Sequence, residues 1–103
     1  NGQNFAFNGY LPIDKAARKN EIKSLERLSQ EKNQAQLFIE TPYRNNKMLE
    51  DLIQNLHPAT RVCIACDLTL TSEYIVTKPV AEWSKTKVDL HKRPTIFILQ
   101  KEY

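Results

Sequence analysis

The sequence predicts an α/β domain: a mixed, mostly parallel β-sheet flanked by helices. Three observations lead there. Short apolar runs alternate with amphipathic stretches along the chain, in the order β-α-β-α-β-β-α-β. Two runs, Leu37-Phe38-Ile39 and Val62-Cys63-Ile64-Ala65, show no polar alternation, the mark of strands covered on both faces. The 103 residues are 41% hydrophobic and 26% charged, a composition that fits one modest globular domain rather than a disordered chain.

Each element has a local cause. Phe5 and Phe7 alternate before a turn signal at Asn8-Gly9, which reads as a short strand or an extended lead-in. Asp14 is a helix cap, and the stripe of Ala16 or Ala17, Ile22, Leu25 and Leu28 carries a helix over about 15–31. "AQLFIE" is a buried strand. In "FIETPYRNN", Thr41 can cap the next helix with its hydroxyl and Pro42 suits its first position, having no N–H to leave unpaired. That helix buries Met48, Leu49, Leu52, Ile53 and Leu56 and ends before Pro58. "RVCIACDL" is a second buried strand, "TLTSE" a turn, and "EYIVTK" a half-exposed strand, so the pattern predicts one hairpin in the topology. Pro79 opens a short helix, "KVDLHKR" is a basic connector, and "PTIFILQ" is a last apolar strand with Pro94 at its first residue.

Several function classes drop out. No apolar stretch approaches the roughly 18 residues of a membrane span. The start lacks the basic-then-apolar pattern of a signal peptide and lacks an initiator Met, so we expect a segment of a longer cytoplasmic chain. The net charge of +3 permits an anionic partner without requiring one. With 2 glycines, Gly2 and Gly9, the segment has no phosphate-cradling loop or dinucleotide fingerprint. Cys63 and Cys66 have C-x-x-C spacing, but residues three apart on a strand point to opposite faces. Buried free thiols in a reducing compartment account for the pair more simply than a redox or zinc site.

The polar residues worth weighing cluster at strand ends. Glu40, Thr41 and Arg44 follow one strand; Asp67, Thr69 and Glu73 follow another; Arg93, Pro94 and Thr95 precede the last. Each is explained singly by a cap, a turn or a surface charge. Together they could meet at one sheet edge, where ligands of α/β proteins bind. Lys87, His91, Lys92 and Arg93 could contact phosphates or form a solvated basic loop. No serine has elbow glycines around it, and neither His57 nor His91 has a paired nucleophile.

Three motifs in order, "FAFNGYLP", "LFIETPYR" and "ACDLT" with Glu73 after it, resemble the C-terminal half of the tetrapyrrole methylase superfamily. The similarity is greatest to the ribosomal RNA small-subunit methyltransferase I branch and runs over essentially the whole chain. It implies the C-terminal domain of a two-domain, homodimeric enzyme using S-adenosyl-L-methionine, with the glycine-containing cofactor loop on an N-terminal domain absent from this segment. By motif position, Glu40, Leu68, Pro94, Thr95 and Ile96 would bind the cofactor, and Tyr43, Arg44, Thr69 and Glu73 would lie on the substrate side. The implied acceptor is an RNA ribose 2′-hydroxyl; a tetrapyrrole or other small molecule is the alternative. No catalytic base is identified. Tyr43 stands where the branch has His, Cys66 and Leu70 where it has Arg and Lys, and Arg93-Pro94 where its last strand opens with Gly-Glu. The rival from another class is a non-catalytic interaction domain on the same fold, binding nucleic acid or a protein through the basic connector.

Overall fold

The computed structural model describes residues 4–101. Among them the chain forms β1 (Phe5–Tyr10), α1 (Lys15–Glu31), β2 (Ala35–Ile39), a 3-10 turn (Pro42–Arg44), α2 (Asn45–Asn55), β3 (Arg61–Cys66), β4 (Tyr74–Pro79), α3 (Val80–Trp83) and β5 (Thr95–Gln100). The order of elements is the one read from the sequence. No helix of the described residues is long and apolar enough to cross a membrane.

The strands form one five-stranded sheet in the order β1-β2-β5-β3-β4. Only β1 and β2 pair in parallel; β2 with β5, β5 with β3, and β3 with β4 are antiparallel. The sheet is therefore mixed but mostly antiparallel, which corrects the mostly parallel expectation. The crossover logic behind that expectation holds in part. Strands β1, β2 and β3 do run the same way, but β5 inserts between β2 and β3 in the opposite direction and turns one parallel neighbour pair into two antiparallel ones.

All three helices pack on one face of the sheet. Ile22 and Leu25 of α1, Met48, Leu49 and Leu52 of α2, and Val80 and Trp83 of α3 share a core with Phe38, Val62, Ile64, Cys66, Phe97 and Leu99. Phe38 and Phe97 are cross-strand partners whose rings stack at 5.8 Å. Burying a side chain of that size contributes roughly 1.5–3 kcal/mol. The Trp83 indole N–H donates to Val62 O at 2.8 Å, so its burial leaves no orphan donor.

Among the described residues, the opposite face has no helix on it. Tyr10, Ile39, Ile96, Ala65 and Ile75 align across the strands in one row, and Phe7, Leu37, Ile98, Cys63 and Thr77 in the next. Phe7, Tyr10 and Ile75 are exposed, and Leu37, Ile39, Ile96 and Ile98 are half-buried. The expectation that both faces of Leu37-Phe38-Ile39 are covered thus holds for Phe38 alone. Cys63 lies half-buried on this face and Cys66 fully buried on the helix face, both as free thiols. Burial raises the Cys66 thiol above its ordinary pKa, although Arg93 nearby pulls the other way.

The caps separate two kinds of helix start. Asp14 caps α1, its carboxylate accepting the Ala17 N–H at 3.0 Å, as the sequence indicates. Thr41 does not cap with its hydroxyl; it is extended, with no side-chain cap bond, and Pro42 starts a 3-10 turn rather than the helix itself. The Thr41 N–H donates instead to Glu40 Oε1 at 2.9 Å.

Candidate functional site

Because β5 runs antiparallel to both neighbours, its start lies beside the ends of β2 and β3. This places three strand ends together, and a cavity of about 410 Å³ opens there. It is lined by Ile39, Glu40, Pro42, Ala65, Asp67, Leu68, Leu70, Pro94, Thr95 and Ile96. Ile39, Ile96 and Ala65 are successive cross-strand neighbours on the open face of the sheet. Leu68 and Leu70 come from the loop after β3 and remain exposed. All the residues that the motif positions assign to the cofactor, Glu40, Leu68, Pro94, Thr95 and Ile96, line this one cavity. None of those assigned to the substrate side does.

The loop after β3 is held in an uncommon backbone shape. Asp67 and Thr69 have φ of 53° and 69°, the latter costly for a β-branched residue. Three contacts hold it. The Arg93 Nε–H donates to Asp67 Oδ2 at 2.7 Å, Ser72 Oγ–H donates to the same oxygen at 3.0 Å, and the Thr69 N–H donates to Glu73 Oε1 at 2.8 Å. Arg93 also donates to Ser72 O at 2.9 Å and Asp89 O at 3.1 Å, fastening this loop to the connector before β5. The hydrogen bond from Arg93, then that from Ser72, holds the Asp67 carboxyl below its ordinary pKa, and the bond to Asp67 in turn raises Arg93. Asp89 is also lowered, by the Asn46 amide and the His91 N–H. Glu73 and Thr69 are thus partners of each other within the loop.

Tyr43 is exposed and meets the His91 ring edge-on at 5.7 Å. Arg44 points elsewhere, lining a second groove between α1 and α2. The basic connector follows the 3-10 turn closely, since the Lys92 N–H donates to Pro42 O at 3.0 Å.

Of the buried polar residues that the sequence reading passed over, Arg18 and Asn45 bear on this end of the sheet. Arg18 is 3% exposed. Its guanidinium pairs with Glu40, stands 3.6 Å from Asp51, donates to Pro12 O at 3.0 Å and contacts Met48 Sδ at 3.3 Å. The Glu40 carboxylate, 5% exposed, is therefore committed to Arg18, with Arg44 Nε at 3.6 Å, while the residue also lines the sheet-end cavity. Asn45, fully buried, donates to Arg93 O at 2.6 Å, Thr95 Oγ1 at 3.2 Å and Leu90 O at 3.3 Å, tying the start of α2 to the start of β5. A signal existed for both: Arg18 precedes Ile22 by four and Asn45 precedes Met48 by three, so each continues an apolar stripe.

The architecture has a solved counterpart. Over 97% of this chain and 42% of the other, it superposes on the crystal structure of the methyltransferase CobJ with a TM-score of 0.56 at 16% sequence identity. The fold is tetrapyrrole methylase-like. In sequence, 78 residues, or 76% of the chain, are 33% identical to the ribosomal RNA small subunit methyltransferase I of Vibrio cholerae. That match spans 26% of the relative, about a quarter of its length. No protein-family model matches the chain.

The walls Ile39, Ala65, Leu68, Pro94 and Ile96 are apolar, the kind of surface that takes an aromatic ring or an aliphatic chain, and Glu40, Asp67 and Thr95 are polar residues of the lining.

Proposed function

We propose that this chain is the C-terminal, cofactor- and acceptor-binding half of an S-adenosyl-L-methionine-dependent methyltransferase whose acceptor is an RNA ribose 2′-hydroxyl. One observation carries the reading: residues separated by more than fifty positions, singled out by motif position, line a single strand-end cavity. The RNA acceptor is supported by the likeness to a ribosomal RNA methyltransferase. When bound, the cofactor supplies an electrophilic methyl group on a sulfonium. The part of this domain is then to orient. The Ile39–Ile96–Ala65 row is the floor, Leu68 and Pro94 close the sides, and the Arg93–Asp67 contact fixes the loop that carries Leu68. Rate enhancement in such a displacement comes mainly from holding acceptor and donor in line. Tyr43, Arg44, Thr69 and Glu73 lie outside the cavity, and Arg44 lines the groove between α1 and α2 instead.

A small-molecule acceptor is the second reading, favoured by one feature: Leu70, where the RNA branch has Lys, lines the cavity and adds apolar surface instead of a cation.

The test is calorimetric titration of S-adenosylhomocysteine into the full-length protein and its Leu68→Asp variant. Leu68 is 43% exposed, so the substitution spares the core. Micromolar binding by the parent, weakened at least tenfold in the variant, supports the reading. Equal binding removes this cavity from the cofactor site, and no binding to either overturns the methyltransferase assignment.

We also propose that the protein pairs as a homodimer, with the open sheet face among the surfaces that pairing covers.

A further inference from the structure

The second groove lies between the first half of α1 and α2, has a volume of about 370 Å³, and is separate from the sheet-end cavity. It is lined by Lys15, Arg18, Lys19, Arg44 and Lys47, together with Ile13, Asp51, Gln54 and Asn55. Three of these five cations share two carboxylates. Glu40 serves Arg18 and Arg44, and Asp51 serves Arg18 and Lys47. Lys15 and Lys19 have no ion pair among the described residues and stand one turn apart on α1, about 6 Å along its axis. That separation is close to the step between neighbouring phosphates on one nucleic-acid strand. Arg44 Nε is buried without a hydrogen-bond partner, 3.6 Å from Glu40 and outside hydrogen-bond range. The Arg44 side chain is 40% exposed and lines the groove as a further cation.

We propose that this groove binds the phosphodiester backbone of RNA. A small anion would need one convergent cradle. Here the cations are strung over α1, the 3-10 turn and α2, with the Gln54 and Asn55 amides nearby, as a backbone track requires. Glu40 joins the two sites: it lines the sheet-end cavity, and its carboxylate orients Arg18 and Arg44 at the groove. The choice of RNA rests on the proposed function; the polyanion track rests on the groove itself.

The experiment is fluorescence anisotropy of a mixed-sequence single-stranded RNA with the full-length protein, across about 50 to 200 mM salt. The Lys15→Gln/Lys19→Gln/Lys47→Gln variant is compared with Lys87→Gln/Lys92→Gln on the basic connector. S-adenosylhomocysteine titrations and thermal midpoints are run on each. Three lost phosphate contacts should lower the magnitude of the log–log salt slope by about 2, at about 0.7 per contact. Affinity should fall at least tenfold at the low-salt end, with cofactor binding and midpoint unchanged, and the connector variant should keep the parental slope. An unchanged slope in the groove variant, a loss confined to the connector variant, no RNA binding by the parent, or full displacement of RNA by millimolar inorganic phosphate each overturns the proposal. RNA binding lost in the groove variant with no S-adenosylhomocysteine binding by the parent keeps the groove and removes the methyltransferase reading.

Discussion

Removing the Arg18 guanidinium would leave the Glu40 carboxylate, 5% exposed, with Arg44 at 3.6 Å and the Thr41 N–H. Arg18→Met should destabilise the chain by about 3 kcal/mol, the low end for breaking a buried pair, because Arg44 still provides partial compensation. Urea unfolding measures it, and adding Glu40→Gln should cost less than the sum of the two single changes. The Asp67–Arg93 contact makes a prediction in pH. The folded pKa of Asp67 is lowered, so the folded state binds its proton less readily than the unfolded chain does. The contribution is therefore complete above the unfolded value of about 3.9 and is lost as pH falls through the lower folded value. In melts from about pH 6 downward, the gap in midpoint between the parent and Asp67→Asn should be widest near neutrality and close in acid. A gap that does not change with pH would remove the charged contact as the cause. Glu40, Asp67 and Arg93 were all legible as a strand-end cluster because their residue types are unusual beside apolar runs. Which carboxylate meets which guanidinium was not, because Arg18 lies 22 positions from Glu40 and Arg93 lies 26 from Asp67.

Elements test the difference between a residue type and its geometry. Asp14 and Thr41 are both cap-type residues before a helix, yet only Asp14 makes the bond. Asp14→Ala should cost about 1 kcal/mol and Thr41→Ala less than about 0.5, read from denaturant midpoints. Equal losses would show that the 3-10 turn is capped in solution. Helix and strand positions were readable because each rests on a local period of hydrophobic residues. The direction of β5 was not. An apolar strand reads the same in either sense, and only its insertion between β2 and β3 makes the sheet mostly antiparallel. The expectation of both-face coverage failed for a related reason: an apolar run shows that a face avoids water, not that this domain supplies the cover.

At the scale of the molecule, the open face decides behaviour in solution. Two cross-strand rows rich in Phe, Leu and Ile, without a helix above them, form an apolar patch of the kind monomeric proteins rarely leave uncovered. The 103-residue chain should therefore sediment as a concentration-dependent mixture of monomer and larger species. Leu37→Lys/Ile98→Lys, which places two charges side by side in the second row, should yield a monomer with the same far-ultraviolet circular dichroism. A parent that stays monomeric at all concentrations would remove this face as an association surface. What the sequence determined on its own was local: the elements, their order, the apolar stripes, and the motif residues grouped at the strand ends. Each of these follows from spacing along one stretch of chain. What only the tertiary structure decided was how those ends meet: β5 between β2 and β3, one cavity over their ends, Arg18 beneath Glu40's charge, and a cationic groove on the far side of it. Those depend on contacts between residues tens of positions apart, and such contacts leave no period in the sequence.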